Sequence, residues 1–442
     1  MTPVTVIGAG LAGCECAWQI ARRGIGVKLI EMKPGKKTPA HVSPYPAELV
    51  CSNSLRGNDL SSAAGLLKEE LRRLGSLIIK CADDNRIAAG GALAVDREEF
   101  SKDVTARIDS HPLIKRIMSE ASEIPAGETV IATGPLTGGG MEICIEKLFG
   151  RVGLLRFYDA AAPIVSFESV DMRKAFYASR YGKGTPDYIN CPMTEDEYLR
   201  LRDELCGADT AEIRDYEDSG VFEGCLPIEV MAKRGVDTMR FGPLKPVGLK
   251  DPLTGRESHA VAQLRRDNAL GTVYNMVGFQ TRLTFPEQRR VFSVIPALKN
   301  AEFMRFGVMH RNTYINSPAL LDRYYSLKSA PRISFAGQIT GVEGYVESCA
   351  SGLLVGIEKA AKLLELPAAD FPAATATGAL ALYVSGARTS DFQPMNINFG
   401  IIEPLGYPVK RKQNKKEETA KRSLEIIEEI LKKEVFRRAD NN

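Results

Sequence analysis

Two cysteines stand where a thiol can react. Cys51 sits in "ELVCSNSLRG", Glu48 to Gly57, among serines, an asparagine and an arginine. Cys225 sits in "VFEGCLPIEVMAKRG", after Glu223 and Gly224 and before Pro227, with Lys233 and Arg234 close behind. Gly and Pro on either side of Cys225 mark an exposed turn. A polar, partly basic setting favours the thiolate, the form that serves as nucleophile. Cys14, Cys16, Cys144 and Cys349 are read instead as inert, small apolar residues.

The second chemical signal opens the chain. In "VTVIGAGLAGCECAWQIARRGIGVKLIEMK", Val4 to Ile7 reads as a buried strand and is followed by Gly8, Gly10 and Gly13 in G-x-G-x-x-G spacing. Gly8 makes the tight turn, Gly10 lets a pyrophosphate approach the backbone, and Gly13 lets helix and strand pack closely. Ala9, Leu11 and Ala12 complete the loop, and the helix that follows turns its N-terminus to the phosphates. A second strand, Val27 to Ile30, ends at Glu31, 18 residues after Gly13, where a carboxylate accepts hydrogen bonds from a ribose. Glu31 disfavours a 2′-phosphate, so FAD or NAD suits this site better than NADP.

The far end of the chain favours FAD. "RISFAGQITGVEGYVESCASGLLVGIEKAAKLL" reads as a strand, Ile333 to Ala336, a glycine-rich turn and a helix from about Ser348. It is expected to return to the first domain and aim its helix N-terminus at a flavin ring, where the dipole stabilises an anionic reduced flavin. Gly337, Gln338, Glu343, Gly344 and Tyr345 belong to that turn, and "TVIATGPL" brings Thr133 and Gly134 over the cofactor. There is no second G-x-G-x-x-G, so NAD(P)H would dock transiently in the substrate's cleft.

The elements that position these residues imply an α/β fold: a discontinuous, Rossmann-like FAD-binding domain (1–162 and 326–442) and a mixed α+β insertion domain (163–325). Within the insertion, strand-like "PIVSFESV" and "TVYNMVGF" mix with helical "TEDEYLRLRDEL" and "PEQRRVFSVIPAL". Ala420, Leu424, Ile427 and Leu431 recur at helical spacing near the C-terminus. Lys410 to Lys416 holds five basic residues in seven, which reads equally as a solvated helix face or a nucleic-acid contact. The 442 residues are too many for one ordinary core, and a net charge of +3 leaves nucleic-acid binding to local patches. No apolar run approaches a membrane span. Nine scattered cysteines, with Cys14 and Cys16 lacking a second pair at zinc spacing, point to free thiols, no metal and a reducing cytoplasm.

Long stretches resemble one family. "VTVIGAGLAGCECAWQ", "ELVCSNSLRG", "ALAVDREEF", "VFEGCLPIEVMAKRG", "TRLTFPEQRRVF", "MHRNTYINSP" and "FAGQITGVEGYVESCASGLL" resemble the folate- and FAD-dependent tRNA (uracil-5-)-methyltransferases, from Thr2 to about Val435. A more distant resemblance is to the larger flavoproteins that modify wobble uridines. The resemblance implies 5-methyluridine formation at position 54 in the T-loop of the tRNA T-arm. 5,10-Methylenetetrahydrofolate would supply the carbon by way of reduced FAD, and NAD(P)H the electrons. It matches Cys225 to the thiolate that adds to uracil C6, and Cys51 to a partner thiol that acts as base or protects the carried carbon. It places Tyr345 near the flavin and His310 on the folate pterin. Arg282, Arg289, Lys233 and Arg234 would meet phosphates, and the stacked target base must flip out. Three alternatives stay open: the same chemistry on a uridine of 23S ribosomal RNA, a flavin-dependent thiol oxidoreductase, and a non-catalytic RNA-binding flavoprotein. The oxidoreductase predicts a close redox cysteine pair and a second nucleotide fold, and the sequence has neither.

Overall fold

A computed structural model describes residues 2–38, 40–149, 154–182, 184–211, 226–252, 254–386, 392–409 and 412–440. Five parallel strands carry the first core: β1 (Val4–Ile7), β2 (Val27–Glu31), β3 (Ile114–Met118), β4 (Thr129–Ile131) and β5 (Ile333–Phe335). Their order is β5-β4-β1-β2-β3, with Thr5 beside Thr129 and Ile333 beside Thr129 in turn. β1, β4 and β5 are buried at every residue, and each is apolar but for one small buried hydroxyl, Thr5, Thr129 or Ser334.

Helix α1 (Leu11–Ala21) joins β1 to β2 and is buried almost all round. Even Glu15 is fully enclosed, because its carboxylate caps another helix, accepting the Ile78 N–H at 2.9 Å and the Ser76 hydroxyl at 2.7 Å. Helix α3 (Tyr345–Leu363) packs beside it, and helix α2 (Ala63–Arg73) packs on α3. Sequence pattern puts the start of α3 near Ser348. It begins at Tyr345, because Gly344, at φ 113°, supplies the left-handed turn that launches it.

Helix α4 (Lys412–Leu431) closes this core, burying Ala420, Leu424 and Ile427 as their spacing predicts. Its Ser423 hydroxyl donates to buried Glu70 of α2, whose carboxylate also caps the helix Ala376–Gly386 through the Ala376 and Thr377 N–H groups at 2.7 and 2.9 Å. The apolar face of α4 is packed; the side chains at 410–414, most of the basic run, lie outside the described residues.

A second core lies between Val165 and Phe303. Its six-stranded antiparallel sheet runs in the order Phe176–Ala178, Tyr188–Met193, Ala260–Arg266, Val273–Met276, Ile164–Ser166, Phe303–Arg305. The helix Glu195–Gly207 covers it, opened by a capping box of Thr194 and Glu197. Where the chain leaves and re-enters the first core, Leu154–Ala160 pairs antiparallel with Met309–Ile315. A small sheet of Ser54–Gly57, Ala92–Val95 and Arg86–Ile87 was not foreseen from the sequence.

Candidate functional site

A cleft with about 1320 Å³ of empty volume, counting its open mouth, runs along the carboxyl ends of the parallel strands. Its floor is the turn between β1 and α1. Gly8 takes φ 98°, and a Cβ there would lie 2.5 Å from the Ala132 carbonyl oxygen. A Cβ on Gly13 would lie 1.8 Å from the Gly8 oxygen, so Gly13 works behind the cleft in the packing of helix on turn. Gly10 is different: a Cβ there would meet no atom within 4 Å, so its backbone faces open space. Gly8, Ala9, Gly10, Leu11 and Ala12 all line the cleft.

The start of α1 has no side-chain cap and no acid in its first turn, which leaves its dipole for a bound anion. Glu31 lines the cleft at the end of β2 and already holds the turn, accepting the Ala9 N–H at 2.7 Å and the Lys33 N–H at 2.9 Å. The remaining acceptor capacity of its two oxygens suits a ribose hydroxyl. Asn312, 1% exposed, reaches the cleft from the strand Met309–Ile315, and its buried Oδ1 has no hydrogen-bond partner among the described residues. An orphaned amide, an uncapped helix and an open glycine together fit a dinucleotide with a polar ring system.

The opposite end of the cleft is built from the late segment. Thr133, Gly134, Gly337, Gln338, Tyr345 and Ser348 line it. Glu343 and Gly344 do not: Glu343 accepts the Gln338 amide at 2.7 Å and so orients a lining residue, and Gly344 serves the turn into α3. Cys51 is half-buried on the wall. The Tyr345 hydroxyl accepts the backbone N–H groups of Cys51 at 2.8 Å and Ser52 at 3.1 Å, tying the thiol's segment to the start of α3. Burial pushes the Tyr345 hydroxyl far up, with Cys51 adding to it, so it stays protonated.

Sequence reasoning missed the cations around Cys51. Arg97 and Arg305 both couple electrostatically to the thiol, beside Tyr345. Burial pulls the Arg305 guanidinium below its ordinary range and Arg97 pulls it further, so two cations crowd this corner. Arg97 is paired with Asp267 at 3.0 Å, so a carboxylate already shares this corner with the two guanidiniums. The only sequence signal was the arginine opening a helix in "ALAVDREEF".

Cys225 lies outside the described residues, as does the side chain of His310, whose backbone pairs with Asp159 on the strand Met309–Ile315. Cys14, Cys16 and Cys349 are buried core thiols, the first pushed well up by burial and by Glu31; Cys144 is half-buried and donates to the Ser122 carbonyl at 3.0 Å. Lys233 and Arg234 are exposed on the last turn of the helix Ile228–Arg234. Exposed Arg289 lies over the Phe306 ring at 4.7 Å, whereas half-buried Arg282 sits 3.9 Å from Glu229. Among the described residues, no helix is long and apolar enough to cross a membrane.

Known proteins place this geometry. The family profile described as "Glucose inhibited division protein A" (GidA) matches residues 3–367. A curated relative from Acetivibrio thermocellus, named "Methylenetetrahydrofolate--tRNA-(uracil-5-)-methyltransferase TrmFO", is 59% identical, over 97% of this chain and 99% of its own length. The protein of the same name from Bacillus subtilis is 53% identical, over 97% of this chain and 98% of its own. Among solved structures, Aquifex aeolicus GidA superposes with a TM-score of 0.69 over 99% of this chain and 75% of that one; at 14% identity it speaks to the fold alone.

Proposed function

The chain belongs to the TrmFO family of methylenetetrahydrofolate–tRNA-(uracil-5-)-methyltransferases, and from that membership we propose that it methylates C5 of the T-loop uridine, position 54, in tRNA. The observation that carries the reading is Cys51 on the wall of a dinucleotide cleft, hung from Tyr345 and faced by Arg97 and Arg305.

The cleft is read as an FAD site. The β1–α1 turn and the helix end hold the pyrophosphate, Glu31 the ribose, and Asn312 and Gln338 the polar edge of the ring. Bound and reduced, FAD supplies the carrier for the one-carbon unit and the hydride. The chain's own residues prepare the base. Uracil C5 is a poor nucleophile, and addition of the Cys225 thiolate at C6 turns it into an enolate carbon. After C5 attacks the carbon from methylenetetrahydrofolate, Cys51 takes the C5 proton as the Cys225 thiolate leaves C6, and the exocyclic methylene so formed at C5 accepts the hydride to become the methyl group. Arg289, Lys233 and Arg234 offer exposed cations to the phosphates of the T-arm. NAD(P)H docks in the open mouth of the same cleft. The two hydrophobic cores support a cofactor core interrupted by an inserted one; the sequence pattern puts the bounds at 1–162 with 326–442 and 163–325, but Ile315, Leu321 and Tyr325 pack in the cofactor core, so we place the end of the insertion before Ile315. We place the enzyme in the cytoplasm, with its thiols reduced.

The test uses purified protein, unmodified tRNA transcript, NADPH and methylenetetrahydrofolate labelled in the one-carbon unit, with a ribosomal RNA fragment alongside. Label enters the T-loop uridine and is abolished by Cys225→Ala and by Cys51→Ala. Label in the ribosomal fragment alone would replace tRNA as the substrate, and label that survives both substitutions would remove the thiols from the chemistry.

A further inference from the structure

The segment that carries Cys51 is held from across the molecule. Arg265 is the penultimate residue of the strand Ala260–Arg266 of the antiparallel sheet, and only 8% of it is exposed. Its Nε donates to Asn53 Oδ1 at 3.0 Å, and a terminal nitrogen donates to Ser52 Oγ at 2.6 Å. Asn53, fully buried, answers by donating to the Arg266 carbonyl at 3.0 Å and to the Val95 carbonyl at 3.0 Å. Two residues beyond Arg265, Asp267 pairs with Arg97 at 3.0 Å. Arg97 in turn donates to the Leu49 carbonyl at 2.7 Å, on the other side of the cysteine. The Ala269 N–H adds a bond to Asp96 at 2.9 Å. Residues 265–269 therefore grip the chain just before Cys51 through Arg97 and just after it through Arg265.

We propose that Arg265 is a positioning residue for Cys51, setting the place of the cleft thiol from the second core. A rigid fork with two acceptors fixes direction as well as distance, which a single ammonium does not do. The helix Ile228–Arg234, which follows Cys225 in the chain, shares that second core, packed on the helix Glu195–Gly207 that covers the sheet. Whatever seats a nucleic acid on that half is then mechanically continuous with the thiol on the flavin side. The inference rests on the reading of Cys51 as a working thiol.

The experiment compares the flavin-loaded wild-type protein with Arg265→Lys, which keeps the charge and loses the fork, and with Asn53→Ser, which removes the acceptor and changes no charge. One arm measures the rate of Cys51 alkylation by iodoacetamide, by mass spectrometry of its peptide. The other measures kcat and KM for label transfer to tRNA. Both variants are expected to change the alkylation rate about fivefold or more and to lower kcat about ten- to a hundredfold, with KM for tRNA and folate within about twofold. Unchanged alkylation and kcat in both would overturn the proposal. So would a raised KM for tRNA at preserved kcat, because Arg265 would then be an RNA contact. Where Asn53→Ser fails to retain flavin, Arg265→Lys alone decides. Absence of label transfer in the wild type would sink the proposed function and leave the alkylation arm to judge the latch by itself.

Discussion

Gly352 of α3 lies against the first turn of α1, and the structure puts a figure on what any side chain there would meet. A Cβ at Gly352 would stand 2.2 Å from the Ala12 carbonyl oxygen and 2.8 Å from the Ala12 Cα. That is about 1.2 Å short of ordinary contact, and both opposing atoms are backbone, so no rotamer relieves it. One turn on, Gly356 meets the Cys16 oxygen at 2.8 Å, so α3 cannot simply slide along α1. In Gly352→Ala the helices must part, at a cost of about 1–3 kcal/mol. Ala12 belongs to the cofactor turn, so part of that strain appears as lost flavin affinity: about 1.4 kcal/mol delivered there weakens binding about tenfold. Urea unfolding and flavin titration measure the two shares. Gly207→Ala is the internal control, at the end of the helix Glu195–Gly207, where a Cβ meets nothing within 4 Å. It should leave stability level or raised by about 0.5–1 kcal/mol. A Gly352→Ala protein as stable as wild type, with unchanged flavin affinity, would refute the close helix crossing.

Other substitutions read other parts of the argument. Glu31→Gln keeps one oxygen where the carboxylate uses two, so the turn loses a backbone bond and flavin affinity should fall about tenfold, seen by fluorescence titration. Glu70→Ala strips the cap from the helix Ala376–Gly386 and the partner from Ser423, and should cost about 3 kcal/mol or more in urea unfolding. Burial raises Glu358 to about 7, against an ordinary 4.5, while a single oxygen accepts the Ala369 and Asp370 N–H groups. The unfolded chain ionises first, so this carboxylate opposes folding increasingly as pH climbs through that window. Glu358→Gln keeps the accepting oxygen and removes the charge, so it should gain about 3 kcal/mol relative to wild type between pH 4.5 and pH 8. A gain that did not grow with pH would assign the burial penalty elsewhere.

The parts of the site that sequence made legible are local. β1, the three glycines, α1, β2 and Glu31 follow one another within thirty-one residues, and each has a residue type that its backbone or ligand demands. Cys51 announced itself by its polar neighbours. The surroundings of Cys51 did not, because Arg97 meets Leu49 only once the first core is folded, and Arg265 and Arg305 come from the antiparallel sheet of the second core. Glu15 and Glu70 look like surface residues of ordinary helices, yet both are enclosed because each caps a helix distant in sequence. Glu343 was expected at the cofactor and instead orients Gln338, a distinction that spacing within one turn does not encode. The small sheet around Arg86–Ile87 escaped notice because its strands are two to four residues long.

The order in which the parallel sheet is completed has a consequence during synthesis. β4 ends at Ile131 and its neighbour β5 begins only at Ile333, while α4, whose Arg73–Glu428 pair ties it to α2, comes later still. At a ribosome's pace, β4 waits about 10–40 s with one edge open. The second core, needing only the stretch from Val165 to Phe303, can meanwhile close. The late helices therefore close on a structure that the early strands began, with the Arg23 guanidinium donating to the Val435 carbonyl at 3.0 Å. A nascent chain of this protein holds one edge of β4 open until β5 emerges, and during that interval chaperones and proteases have access to it.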